Sequence, residues 1–194
     1  KEKLRLRSYG TPDADSRVFL ELKKKYESVV YKRREAMSYR EALGFIETPT
    51  PHSQITKEIA YFMSFYPGLA PAVFLSYKRE AYYGISDPEF RVTFDSDILW
   101  RDTDTELSAG IYGTPILPDG MRLMEIKTPG AIPLWLAATL SEERIRQTSF
   151  SKYGRAYEAI AGAPAPCKRL YNIPATITQT NQEKTAPKGD KLYA

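Results

Sequence analysis

Cations spaced two residues apart are the part of this sequence that could do chemistry. Lys3, Arg5 and Arg7 alternate with Leu4 and Leu6 in the opening segment "KEKLRLRSYG". In a β-strand, alternate side chains share a face. Three like charges therefore stand in a row opposite an apolar side. The pattern returns along the chain. Glu21, Lys23 and Lys25 are in phase, opposite Val18, Leu20 and Leu22. Lys32 and Arg34 share one face of "VVYKRREAMS", with Arg33 on the other. Tyr77 is in step with Arg79, Arg91 with Thr93 and Asp95, and Glu125 with Lys127. "SFSKYG" adds Ser149, Ser151 and Lys152 at a helix start.

Like charges facing each other across a sheet destabilise it. On one strand, such a row is an ordinary solvated face. The same chemistry on six strands points to a shared anion. Arginine meets phosphate oxygens with paired hydrogen bonds, and lysine supplies a point charge. A hydrogen bond to a charged group contributes roughly 1.5–3 kcal/mol net, so several together would hold a triphosphate. The carboxylates are the second clue. Glu21, Asp95 and Glu125 each share a strand face with a nearby cation. Each can pair with that cation, or hold a divalent ion that bridges phosphate oxygens. Tyr9 and Tyr153 read as packing residues, and Lys24, Lys57 and Lys168 as solubilising charges.

Strands are expected over 1–9, 17–28, 29–38, 71–84 and 90–101, with a further one around Leu123–Lys127. Ser38 followed by Glu41 has the spacing of a capping box and starts a helix. Apolar residues at 55, 59, 62 and 63 predict an amphipathic helix over 54–66. Two more helices are expected near 133–147 and 152–161. The strands run mostly in antiparallel hairpin order, and the helices cluster later. This is an α+β chain built round an antiparallel sheet or barrel. If the strands close into a barrel, their charged faces line one cavity. From residue 163 to 194 the sequence is rich in Pro, Thr and Lys without periodicity, and reads as a flexible tail.

Composition removes other classes. A single cysteine, Cys167, leaves no intrachain disulfide and no thiolate zinc cluster. With His52 alone, an imidazole-based metal site is excluded as well. Any metal must sit on carboxylates, which favours Mg²⁺ or Mn²⁺. A net charge of only +4 gives little support to a nucleic-acid binder, which needs a basic outer patch with exposed stacking aromatics. No apolar run approaches the ~20 residues of a membrane helix, and no signal peptide is visible. The expected location is the cytoplasm, or the inner face of the membrane if a membrane protein is a partner. The chain starts inside a strand without Met, so residues before Lys1 are expected in the natural protein.

Seven segments in order, "KLRLRSYG", "VFLELKKKY", "VVYKRR", "SYKREAY", "RVTFDSDI", "LMEIKTPGAIPLWL" and "TSFSKYG", resemble the VTC domain. This is the catalytic domain of the vacuolar transporter chaperone polyphosphate polymerases, among the triphosphate tunnel metalloenzymes and CYTH proteins. The similarity is to bacterial members and spans residues 1 to about 160. It implies an antiparallel tunnel with flanking helices and a basic interior, occupying 1–162. It implies phosphate binding by Arg5, Arg7, Lys23, Arg79 and Arg91, with Lys127 beside a metal-ligating Glu125. Ser151 and Lys152 would face the tunnel end where the polymer is handled. The face pattern adds Lys3, Lys25, Lys32, Arg34 and Tyr77 as substrate-binding candidates, and Glu21 and Asp95 as further metal candidates. The implied reaction moves the terminal phosphoryl group of ATP onto inorganic polyphosphate, with Mn²⁺ or Mg²⁺. Family strands that normally precede the first motif are missing here, so an open tunnel is expected.

Two other activities fit the same residues. A triphosphate hydrolase would put water in place of the acceptor phosphate. A non-catalytic module would bind polyphosphate or an inositol phosphate without turnover. Glu125 favours an enzyme over a pure binder.

Overall fold

The computed structural model describes residues 2–27 and 29–162. The expected tail at 163–194 lies outside the described residues. Within them the chain forms two compact units. The first comprises the residues up to Phe74 together with Asp102–Ile111. The second comprises Leu75–Arg101 and the residues from Tyr112 on.

In the first unit, β1 (Glu2–Arg7), β2 (Arg17–Tyr26) and β3 (Val29–Ser38) form an antiparallel sheet in the order β1-β2-β3. The register sets Leu4 opposite Leu22, Leu6 opposite Leu20, and Val18 opposite Met37. Two helices, α1 (Tyr39–Glu47) and α2 (Gln54–Ser64), cover this apolar face. Each starts on a capping box. Ser38 Oγ accepts from the Glu41 amide at 3.2 Å, and the Glu41 carboxylate accepts from the Ser38 amide at 2.8 Å. Ser53 and Thr56 repeat the arrangement for α2. Ala42, Phe45, Ile59 and Phe62 then close over Val18, Leu20 and Leu22. Burying a leucine fully stabilises by about 1.5–3 kcal/mol, and Leu20 is completely buried. Leu20→Ala would cost roughly 2–5 kcal/mol by leaving a cavity. Because strand side chains alternate, seating the leucines inward sends Lys3, Arg5, Glu21, Lys23, Lys32 and Arg34 to the opposite face.

The second unit is built on β5 (Arg91–Arg101), which pairs with β4 (Phe74–Tyr83), β6 (Thr114–Pro115) and β7 (Leu123–Lys127). Against β7, Arg91 faces Lys127 and Thr93 faces Glu125. Against β6, Trp100 faces Thr114. Gly113 has φ +147°, and a Cβ there would lie 2.4 Å from the Trp100 carbonyl oxygen. Only glycine lets the chain enter β6 at this point. Inside β5, Asp97 takes a left-handed φ of +49°. Burial runs through Thr93 and Asp95, then resumes at Ile98 instead of the alternate position. The unit is completed by α3 (Leu134–Glu142) and α4 (Lys152–Ile160).

The fold is thus α+β, with two antiparallel sheets and four α-helices among the described residues. No strand pairing among the described residues closes a barrel. The two-residue β6 and a 3₁₀ turn at Leu107–Ala109 were not expected, because neither is long enough to show a period. None of the described helices is long and apolar enough to cross a membrane.

Candidate functional site

In the first unit, the register aligns Arg5, Glu21 and Arg34 across the three strands, and Lys3, Lys23 and Lys32 in the next row. The expected basic face therefore forms. Its centre is Glu21, whose side chain is only 2 % exposed. Arg5 donates to Glu21 through Nε at 3.1 Å and through Nη2. Lys32 Nζ lies 3.1 Å from the same carboxylate, Arg34 Nε 3.5 Å and Arg7 Nη1 3.7 Å. Burial pushes the Glu21 carboxyl up, but hydrogen bonding and charge from Arg5, then from Lys32, outweigh it and hold the pKa below the ordinary value. Lys23 is exposed and has no carboxylate partner among the described residues. Lys3 and Lys25 lie in phase with it on the strands.

Aromatic rings brace the arginines. The Arg34 guanidinium lies 3.6 Å from the Phe19 ring centroid, and that of Arg7 4.9 Å from Tyr9. Arg7 Nη2 also donates to the Tyr9 hydroxyl at 3.3 Å. Cation–π contacts of this kind help keep a guanidinium in place. Sequence reasoning gave Tyr9 only a packing role and assigned Phe19 none. Their phase, shared with Arg7 and Glu21, was the signal for both.

In the second unit the centre is Asp95, fully buried. Arg79 grips it with two hydrogen bonds, Nε to Oδ1 at 2.5 Å and Nη2 to Oδ2 at 2.7 Å. Lys152 Nζ donates to Oδ2 at 2.5 Å. Tyr77 lies against both cations, its ring centroid 4.4 Å from Lys152 Nζ and 5.1 Å from the Arg79 guanidinium carbon. Burial pushes the Asp95 carboxyl up, but its bonds to Arg79 and Lys152 hold it below its usual range. The same bond to Asp95 raises the Arg79 pKa against the effect of burial. Glu125 stands 3.5 Å from Arg79 and 3.2 Å from Lys127, with its side chain 42 % exposed. Arg91 lies over the Tyr83 ring at 5.7 Å. The Thr93 hydroxyl, between Arg91 and Asp95 on this face, is buried without a partner among the described residues.

Ser151 has a local task. Its hydroxyl accepts from the Gly154 amide at 3.1 Å and caps α4. A Cβ at Gly154 would come within 3.2 Å of the Ser151 Cβ, so glycine leaves room for the cap.

The structure therefore gathers Arg5, Arg7, Lys32 and Arg34 round Glu21, and Arg79 and Lys152 round Asp95. The carboxylates pair differently from the expectation based on same-strand neighbours. Glu125 does take Lys127, two residues on. Glu21 instead takes cations across the sheet, and Asp95 takes one from β4 and one from α4. A carboxylate already paired with several cations is a poor metal ligand, because an incoming cation must displace the charges already there. Among the described residues, no three His, Cys, Asp or Glu side chains gather as a metal site. Glu125, exposed and less tightly held, fits a divalent ion of the Mg²⁺ type, which binds through one or two carboxylates and takes phosphate oxygens and water besides. Each unit offers many N–H donors to phosphate. The family model of the VTC domain matches residues 1–161. No curated protein and no solved structure matches.

Proposed function

The chain belongs to the VTC domain family over residues 1–161, and from that premise we propose that it is a metal-dependent polyphosphate polymerase. Family membership is consistent with a polyphosphate-related function and suggests a phosphotransferase. One observation carries the reading furthest: the first sheet gathers an in-phase set of cations round the buried Glu21, and the second unit sets Arg79 of β4 and Lys152 of α4 round the buried Asp95. We further propose that the cations of each face hold phosphate groups of ATP and polyphosphate.

In this proposal, Arg5, Arg7, Lys23, Lys32 and Arg34, with Lys3 and Lys25 beside them, hold phosphate oxygens on the first sheet. Arg79, Arg91, Lys127 and Lys152 do so on the second, and Tyr77 braces Arg79 and Lys152. Glu125 would hold Mn²⁺ or Mg²⁺, which would neutralise charge on the transferred group. The acceptor is the terminal phosphate oxygen of the polymer. Its bond to the γ-phosphorus forms as the bond from that phosphorus to the bridging oxygen of ADP breaks. The protein's share is alignment and charge stabilisation. Using ATP as donor puts the reaction on the cytoplasmic side, where a membrane protein partner can also be accommodated.

The test is incubation of the protein with ATP and Mn²⁺, followed by gel analysis for long-chain polyphosphate and assay of orthophosphate. Polymer formation supports the proposal. Orthophosphate alone gives the hydrolase. Tight polyphosphate binding without turnover gives the binding module.

A further inference from the structure

We infer that Asp95 is a positioning residue: it sets Lys152 of α4 beside Arg79 of β4, and phosphate binding on the second sheet depends on that setting. The inference rests on the proposed phosphate-binding role of this face. Lys152 is the first residue of α4, where a cation is disfavoured by the helix dipole. Its placement needs a local anion, and Asp95 supplies one at 2.5 Å. Ala156 is the one buried residue of this helix.

Donor counting gives Asp95 a constructive role. Arginine has five N–H donors and lysine three. Asp95 takes two from Arg79 and one from Lys152. The remaining donors, from two separate elements, are held round one point with both side chains still partly exposed, 16 % and 17 %. Tyr77 braces the same pair from the ring side. A carboxylate that only neutralised charge would compete with phosphate, so removing it would tighten binding. A carboxylate that positions the cations makes the opposite prediction.

That difference in sign is the test. Sodium tripolyphosphate is titrated calorimetrically into the wild type, Asp95→Asn, Lys152→Met and the double variant, with thermal unfolding as the fold control. The expected result is binding weakened roughly ten- to a hundredfold in each single variant, the scale of one charged hydrogen bond. The double variant should lose less than the product of the two single losses, because part of the action of Asp95 runs through Lys152. If Asp95→Asn fails to fold, Asp95→Glu keeps the charge but moves it by one methylene, and weaker binding is again expected. Equal or tighter binding in the folded Asp95 variant, or losses that multiply in the double variant, overturns the inference and leaves the proposed function standing. A wild type that does not bind tripolyphosphate overturns both.

Discussion

Glu21→Gln is the sharpest perturbation of the first sheet. It keeps the side-chain shape and removes the charge on which four cations depend. Breaking a buried ion pair by neutralising one partner costs about 3–5 kcal/mol. Here water shares part of the load, since the Arg5 and Lys32 side chains are 42 % and 45 % exposed. The expected loss is therefore about 1–3 kcal/mol. For a chain of this length each kcal/mol moves Tm by roughly 2–4 °C, so Tm should fall by about 2–12 °C near neutral pH. The effect has a pH signature. The folded-state pKa of Glu21 lies below its ordinary value of 4.5. Its contribution is thus complete above that value and is lost as pH falls through the folded pKa. Circular dichroism melts over a descending pH series should show the gap between wild type and variant closing in acid. Tripolyphosphate, standing in for the missing anion, should raise Tm more in the variant than in the wild type. Equal melting near neutral pH, or a gap that does not change with pH, refutes the assignment of Glu21 as the charged centre of this face.

Glu125→Ala should abolish metal-dependent turnover yet spare much of the polyphosphate binding, and turnover that survives removes Glu125 from the metal role. Chelation of divalent ions should likewise stop turnover while tripolyphosphate still binds, because the cations round Glu21 need no metal; calorimetry with and without chelator reads this directly. Ser151→Ala should lower stability by about 1 kcal/mol through loss of the α4 cap, and Ser151→Asp should restore it. A Tm that does not move in Ser151→Ala means the hydroxyl does not cap α4.

The faces of the strands were legible in the sequence because side-chain alternation has a period of two. Leu4, Leu6, Leu20 and Leu22 fix which side is buried, and every cation between them follows. The helix starts at Ser38 and Ser53 were equally local, since a capping box spans four residues. What Glu21 and Asp95 do was not legible. Their partners lie across strands or on a helix 57 residues away in sequence, and only register decides who meets whom. A same-strand pairing of Glu21 with Lys23 was the natural expectation, yet the register puts Arg5 and Arg34 on either side of Glu21. Ser151 shows the reverse case. Its place in a family motif suggested substrate contact, while its cap on Gly154 is a purely local geometry.

Asp97 gives β5 two occupations along its length. Ahead of this residue, the strand devotes one side to charge; beyond it, Ile98 is seated in the interior. Moving a strand by one residue carries its side chains to the opposite face. Deleting Asp97 would therefore act as a frameshift in space. Every letter after it would be unchanged, but Ile98 would be turned out and its neighbour turned in. Point substitutions at Asp97 keep the count and so keep the frame. This strand should accordingly accept glycine or asparagine at that position, where the backbone is left-handed, and not tolerate its loss.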